Sequence, residues 1–111
     1  MPKEKAGNLN FFIDEDGLPR AAASKGLEGV ALFLEGDIQG DALLAKELLN
    51  LMNESKKDSK VTEFIGNSYA LTIDPKQVVL EALHRNEETS TIRLGHNEFK
   101  GIVKKWLAFI K

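Results

Sequence analysis

"NEFKGIVKKWLAFI", residues 97–110, carries the strongest structural signal in this chain. Its large apolar residues recur at the three- and four-residue spacing of a single helical face. They are Phe99, Ile102, Val103, Trp106 and Ile110. The lysines of the stretch fall mainly off that face. We therefore predict an amphipathic C-terminal helix, with Asn97 as its N-cap, that docks its apolar face on a sheet.

The sequence before this helix has the two-residue period of β-strands. Strands are predicted over residues 61–65, 68–73, 77–83 and 90–94. In "SYALTI", residues 68–73, the alternation places Tyr69, Leu71 and Ile73 on one face. The connections at 66–67, 74–76 and 84–89 are short, and short connections join antiparallel neighbours. This half of the chain therefore predicts an antiparallel sheet.

The N-terminal half predicts a hairpin followed by helices. Residues 9–13 and 18–23 indicate strands around the Asp16-Gly17 turn, and Pro19 indicates an edge strand. "LEGVALFLE", residues 27–35, fits both helical and strand periods, and we favour a helix. Asp41 is a predicted N-cap for a helix that continues to about Met52, followed by a solvated loop over 53–60.

These elements predict an α+β fold, in which an antiparallel β-sheet is packed by two or three helices, including the amphipathic C-terminal one. The chain divides into a flexible N-terminal leader, residues 1–8, and a single α+β domain, residues 9–111. A chain of 111 residues is long enough to bury a core without help from a metal or a disulfide.

Composition excludes several classes of chemistry. The absence of cysteine removes thiol catalysis, disulfides and Cys-based zinc sites. "MPKEKAGNLN" has no apolar run after its lysines, so no signal peptide is expected, and "VALFL" is too short to span a bilayer. We expect a cytoplasmic protein without membrane association.

Charge is unevenly distributed along the chain. Residues 10–54 hold nine acids against Arg20, Lys25 and Lys46, a net charge of −6, so the remainder carries +4 of the total −2. An acidic half repels nucleic-acid phosphates and attracts a basic protein. Ordinary solubilising surface is the alternative explanation. We expect a protein partner and no nucleic acid.

The acidic turn Asp14-Glu15-Asp16-Gly17 does not match a calcium loop. An EF-hand needs glycine at its sixth position, and counting back from Gly17 puts Phe12 at the first ligand position. Asp14 and Asp16 are two residues apart and could hold a cation only weakly. A charged hairpin turn is therefore the default interpretation, an acidic contact surface is the functional one, and no metal site is predicted.

Catalytic motifs are also missing. His84 and His96 match no zinc spacing, no serine lies in a nucleophile motif, and no glycine pattern resembles a phosphate-binding loop. Glu35 and Asp37 could act as an acid and a base if burial separated their pKa values. We predict no catalytic residues, no cofactor and no small-molecule ligand.

The order of segments adds a resemblance. "FFIDEDGLPRA", the "VALFLEGDIQGD" and "LLAKELLNLM" region, "GNSYALTI" and "LGHNEFKGIVKKWLAFI" together resemble the immunity proteins of contact-dependent growth inhibition systems in Gram-negative bacteria. The chain is also similar to a small uncharacterised bacterial family with the same strand-then-helix finish. The first resemblance implies a cytoplasmic protein that neutralises the C-terminal toxin domain of a large exoprotein, commonly a nuclease and often an RNase, by covering its active site.

The toxin-binding surface has to be chosen from the residues themselves, because such families vary at their contact surfaces. A nuclease presents cations to phosphate, and carboxylates can occupy the same groove. The candidates are Asp14, Glu15, Asp16, Glu35, Asp37 and Asp41. Two alternatives stay open: a small enzyme that uses His84 or His96 with a carboxylate in a deep pocket, and an adaptor that binds a protein through the apolar "VALFL". The immunity hypothesis predicts a flat or convex acidic surface and salt-sensitive affinity.

Overall fold

Strands and helices alternate in blocks along the chain. The computed structural model describes residues 4–6, 9–23, 27–83 and 91–111. The first sheet has strands β1 (Glu4–Ala6), β2 (Leu9–Ile13) and β3 (Pro19–Ala23); the second has β4 (Thr62–Ile65), β5 (Tyr69–Ile73), β6 (Gln77–Ala82) and β7 (Thr91–Gly95). The helical elements are α1 (Glu28–Phe33), the π segment (Leu34–Ile38), α2 (Ala42–Asp58) and α3 (His96–Ile110).

The predicted α+β class is confirmed: every strand pair in the described residues is antiparallel, and the C-terminal helix is present. The strands form two sheets, in the orders β1-β2-β3 and β4-β5-β6-β7, where the sequence suggested one. The helices between β3 and β4 separate the two sheets along the chain, and β3 lies at an edge, as Pro19 predicted.

Residues 4–6 lie in the segment that was predicted to be a flexible leader. They form β1, which pairs with β2 in the register Glu4↔Phe11, Lys5↔Asn10 and Ala6↔Leu9. This strand also contacts α3. The other residues of the predicted leader lie outside the described residues.

The second sheet buries one face, as the alternation predicted. Tyr69, Leu71 and Ile73 are buried, and Leu71 aligns with Leu80 on β6. The opposite face carries residues such as Glu63 and Glu81, which are exposed. A two-residue period can place a strand in this way because successive side chains point to opposite faces.

Helix α3 fills the space between the sheets and α2. Phe99, Ile102, Val103 and Trp106 are buried, and the helix contacts α2, β1, β6 and β7. The predicted N-cap is wrong: the cap is Gly95, not Asn97. The His96 amide donates to the carbonyl oxygen of Lys76 at 2.9 Å, and this tertiary bond fixes the start of the helix.

Helix α2 confirms one prediction and corrects another. Asp41 is its N-cap, and its side chain accepts from the Leu44 amide at 3.0 Å. The predicted loop over 53–60 is wrong, since the helix continues to Asp58 and Ser59 ends it in a left-handed conformation. Ser55 is fully buried, and its hydroxyl lies within hydrogen-bonding distance of the carbonyl oxygens of Lys60, just after the helix, and Ile73 on β5, so the last turns of the helix dock on the second sheet.

Within the ambiguous residues 27–35, α1 forms over Glu28–Phe33, as we favoured, and the helix widens into the π segment from Leu34. Gly29 lies where α1 meets the second sheet. Its lack of a side chain permits this contact, since an added Cβ would collide with Ile92 Cδ1. None of the helices among the described residues is long and apolar enough to cross a membrane.

Candidate functional site

A cavity of about 610 Å³ lies between the two sheets, and residues of α1 and of the π segment contribute to its wall. Leu18, Pro19 and Arg20 form one wall, and the β5–β6 side forms another. The remaining described lining residues are Leu32, Glu35, Gly36, Gln39, Gly40, Ser68, Tyr69 and Ala82. This volume is within the usual range for ligand sites in proteins, which is roughly 300–1,000 Å³.

Two leucines stand exposed at this cavity. Leu18 is 56% exposed and Leu32 is 49% exposed, although both line the cavity. Large apolar side chains gathered around a concavity mark a binding surface more often than single exposed leucines do. Leu32 belongs to the "VALFL" stretch of the adaptor alternative.

Arg20 joins two of the predicted acidic residues at this cavity. Its Nη1 donates to Asp14 Oδ2 at 3.3 Å, and its Nη2 donates to Glu35 Oε1 at 3.1 Å. The two carboxylates are 16% and 14% exposed, whereas the Arg20 side chain is 47% exposed. The ion pairs therefore connect the hairpin to the π segment.

Hydrogen bonds hold the hairpin turn and shift the pKa of Asp14. The amide of Leu18 donates to Asp14 Oδ1 at 3.0 Å, and this bond is the largest cause that lowers the Asp14 pKa below its ordinary value. The Asp16 amide and Arg20 lower it further. The pKa of Arg20 is raised, first by its hydrogen bond to Glu35. Both groups are thus charged around neutral pH.

Glu35 also closes the free edge of β3. Its Oε2 accepts from the Ala21 amide at 2.8 Å, and this amide points away from β2. Pro19 has no amide hydrogen to offer on the same edge. Because a free strand edge invites another strand, Glu35 and Pro19 together protect β3 from strand addition.

Asp37 does not lie on an accessible surface. It is 8% exposed, and its two oxygens accept from the amides of Ser68 and Tyr69 at 2.9 and 3.0 Å. Gly66 permits this approach, because a Cβ there would lie 2.5 Å from Asp37 Oδ2. Asp37 therefore fastens the π segment to the start of β5, and it has no cationic partner among the described residues.

Gln39 follows the π segment in a conformation that L-residues seldom adopt, with φ 54° and ψ −129°. Its carbonyl oxygen accepts from Trp106 Nε1 at 2.9 Å, and its side-chain amide donates to the Gly36 carbonyl oxygen. π-helical turns and strained backbone both occur preferentially at functional sites. The bond from the buried Trp106 holds this strained residue at the cavity wall.

The other three predicted acids are exposed. Glu15 and Asp16 occupy the hairpin tip, and their carboxylates make no ion pair or hydrogen bond to any residue that the structure describes. Asp41 is occupied as the N-cap of α2. The structure thus brings Asp14, Glu15, Asp16 and Glu35 together around the hairpin, while Asp37 is buried beside them. Of the six predicted acids, Glu35 alone lines the cavity, and Glu15 and Asp16 lie exposed at the hairpin tip beside it.

The histidine of the enzyme alternative lies elsewhere. His96 is 2% exposed, its Nε2 donates to the Met52 carbonyl oxygen at 2.9 Å, and it does not line the cavity. Its buried Nδ1 has no hydrogen-bond partner among the described residues. His84 lies outside those residues. No group of three or more metal-ligating side chains occurs in the part of the chain that the structure describes.

Comparisons place the chain among known proteins. It is 32% identical over 88 residues to a UPF0231 protein of Proteus mirabilis (strain HI4320), a match that covers 79% of this chain and 72% of the relative. This chain belongs to the UPF0231 family. A UPF0231 protein of Photorhabdus laumondii is 24% identical over 99 residues, covering 89% of this chain and 78% of that protein. No family model matches the chain, and no solved structure is significantly similar to it.

Several cavity residues of this UPF0231 chain escaped the sequence analysis. Arg20 was only counted as a charge, and Gln39 carried no signal, because its role comes from a backbone conformation. Leu32 did carry one: it lies off the helical stripe of Leu27, Val30, Ala31 and Leu34, so a helix must expose it. Ser68 and Tyr69 reach the site through pairing within the second sheet.

Proposed function

We propose that this protein is a binding protein without catalytic activity, which neutralises a basic toxin domain as the resemblance to immunity proteins implies. The observation that supports this most is the combination of exposed Leu18 and Leu32 with the unpaired carboxylates of Glu15 and Asp16. Leu18 follows Asp16 by two residues in the same tight turn, so apolar and acidic surface adjoin. Protein interfaces commonly have such an apolar centre with a polar rim.

The acidic tip suits a partner that binds phosphate. A nuclease needs cations in its active-site groove, and Glu15 and Asp16 can meet those cations without first breaking contacts of their own. Complementary charge mainly raises the association rate, up to about 10⁸ M⁻¹s⁻¹ at low salt, and selects the partner. Neutralisation then requires only that the active site be covered, in the cytoplasm of the cell that makes the toxin.

Affinity capture tests the proposal. The tagged protein is incubated with a lysate of its native bacterium, and bound proteins are eluted with a salt gradient and identified by mass spectrometry. We expect the C-terminal domain of a large exoprotein, released by salt because exposed charges are screened. The recovered domain is then expressed in a test strain, with and without this protein, and growth is measured. We expect growth only when this protein is present.

Charge-reversal variants make the test specific. Glu15→Lys with Asp16→Lys should lower the affinity for the recovered domain about ten-fold or more, since charge pairs in tight complexes couple by about 1.5–7 kcal/mol. The matched control is Glu63→Lys with Glu81→Lys, which reverses two exposed acids on the outer face of the second sheet. Equal losses in both variants, or binding that salt does not weaken, would reject the acidic surface and favour the adaptor alternative.

A further inference from the structure

We propose that the cavity between the two sheets binds a neutral, largely apolar small molecule with an aromatic ring. This ligand is additional to the proposed toxin partner and does not depend on it. A cavity of about 610 Å³ is large enough to enclose a whole small molecule, and such sites are mostly apolar with a few polar groups. The chemistry of the lining residues selects the class of ligand.

The cavity wall is largely apolar. The apolar described residues that line it are Leu18, Pro19, Leu32, Tyr69 and Ala82. Leu18 and Leu32 are both exposed to solvent. A ligand in the cavity would remove part of these two side chains from water, and the burial of apolar surface is the dominant favourable contribution to most association.

The charges of the lining are already paired with one another. Among the described lining residues Arg20 is the cationic side chain and Glu35 the anionic one, and they form an ion pair at 3.1 Å. The second Glu35 oxygen accepts from the Ala21 amide, and the other terminal nitrogen of Arg20 donates to Asp14. An ion that entered the cavity would lose its hydration and would find no unpaired countercharge, which costs free energy. The lining therefore favours a neutral ligand over both a cation and an anion.

The exposed part of this ion pair suits an aromatic ring. The Arg20 side chain is 47% exposed, whereas the side chains of Asp14 and Glu35 are 16% and 14% exposed. A guanidinium is planar, and both terminal nitrogens of this one donate to a carboxylate, which leaves its flat faces for a ligand. Guanidinium faces stack on aromatic rings, whose π electrons attract the cation. An aromatic ligand therefore gains a contact that a saturated one lacks.

A single polar group on the ligand also has partners. The lining residues Ser68 and Tyr69 donate to Asp37 through their backbone amides, and their hydroxyl groups make no hydrogen bond to a residue that the structure describes. A hydroxyl group can donate to such a group or accept from it without bringing a charge into the cavity. A phenol combines a neutral ring with one hydroxyl, so it is the simplest probe of this chemistry.

A matched set of phenols tests the class of ligand. We would titrate the ¹⁵N-labelled full chain with p-ethylphenol and follow the amide signals of the lining residues Gly36 and Gly40. The related p-hydroxybenzylamine and p-hydroxyphenylacetate carry a positive and a negative charge on the same ring, and the corresponding ethylcyclohexanol has a saturated ring. We expect p-ethylphenol to bind saturably and at least about ten-fold tighter than either ion. It should also bind about two- to five-fold tighter than the cyclohexanol.

Two exposed leucines provide a matched pair of variants. Leu32→Ser removes part of the apolar wall, whereas Leu43→Ser changes a leucine on α2 that does not line the cavity. Both side chains are exposed, so both variants should fold, and thermal unfolding would verify that. We expect Leu32→Ser to weaken p-ethylphenol binding about three-fold or more, and Leu43→Ser to leave it unchanged.

Any of three results would overturn the inference. The first is equal or tighter binding of either charged phenol or of the cyclohexanol, and the second is binding that leaves the Gly36 and Gly40 signals unchanged. The third is the same loss of affinity in Leu32→Ser and Leu43→Ser. The first two use the wild-type chain, so they decide the question even if a variant fails to fold. None of these measurements involves the toxin domain, so the inference and the proposed function can fail separately.

Discussion

Helix α3 and the π segment are both helical and both contribute buried side chains, yet they serve different ends. In α3 the apolar residues act mainly by packing: Phe99, Ile102, Val103 and Trp106 are all buried. In the π segment the side chains of Glu35 and Asp37 bond backbone amides of strands in two different sheets. The regular element supports the core, and the irregular one joins the sheets and shapes the cavity.

The largest effect should come from the regular element. Trp106 is fully buried and packs edge-on against Phe11, with ring centroids 5.0 Å apart. Trp106→Ala should lower the free energy of unfolding by about 3–5 kcal/mol. Urea unfolding followed by circular dichroism would measure it. Trp106→Phe is the control that keeps a ring and loses the bond to Gln39, and we expect it to cost less. Equal losses in both variants would show that the hydrogen bond, and not packing, dominates.

A smaller loss is expected in the π segment. Asp37→Ala leaves the Ser68 and Tyr69 amides without their acceptor, which should cost about 2–3 kcal/mol. The comparison is Asp41→Ala, which removes the N-cap of α2 and should cost about 1 kcal/mol. Chemical denaturation of both variants would give the two values. A cost at Asp37 no larger than that at Asp41 would contradict its role in fastening the π segment to the second sheet.

The smallest effect should come from relieving strain in the backbone. Gln39 and Ser59 have φ values of 54° and 51°, which glycine adopts more easily than other residues. Ser59→Gly, at the end of the regular helix α2, should stabilise the protein by about 0.5–1 kcal/mol. Gln39→Gly should gain less, because it also loses the side-chain bond to the Gly36 carbonyl oxygen. Melting temperatures would rank them, and a larger gain at Gln39 would show that its strain outweighs that bond.

Elements with clear periodicity were predicted well, and their ends were predicted poorly. The strands β2, β3, β5 and β6 lie close to their predicted positions, and Asp41 caps α2 as expected. The end of α2 and the start of α3 differ from prediction because bonds outside the helical repeat decide them: the buried Ser55 hydroxyl contacts the carbonyl oxygens of Lys60 and Ile73, and the His96 amide donates to that of Lys76. Such contacts leave no periodic signal along the chain.

The candidate site was predicted in part. Charge counting indicated the acidic hairpin, and Glu15 and Asp16 are exposed there. It could not distinguish them from Asp37, which lies in the same acidic half but is buried. Asp37 is buried where the backbone amides of Ser68 and Tyr69 donate to it. Composition carries no information about which residues distant in sequence come that close.

Local periodicity therefore determined the α+β class, the antiparallel hairpins and the apolar face of α3, because each depends on side chains a few residues apart. Tertiary structure decided the separation into two sheets, the cavity between them and the fate of each acid. The bonds responsible span long stretches of chain: Arg20 reaches Glu35 across 15 residues, and Asp37 reaches Tyr69 across 32. Only the folded chain brings such groups together.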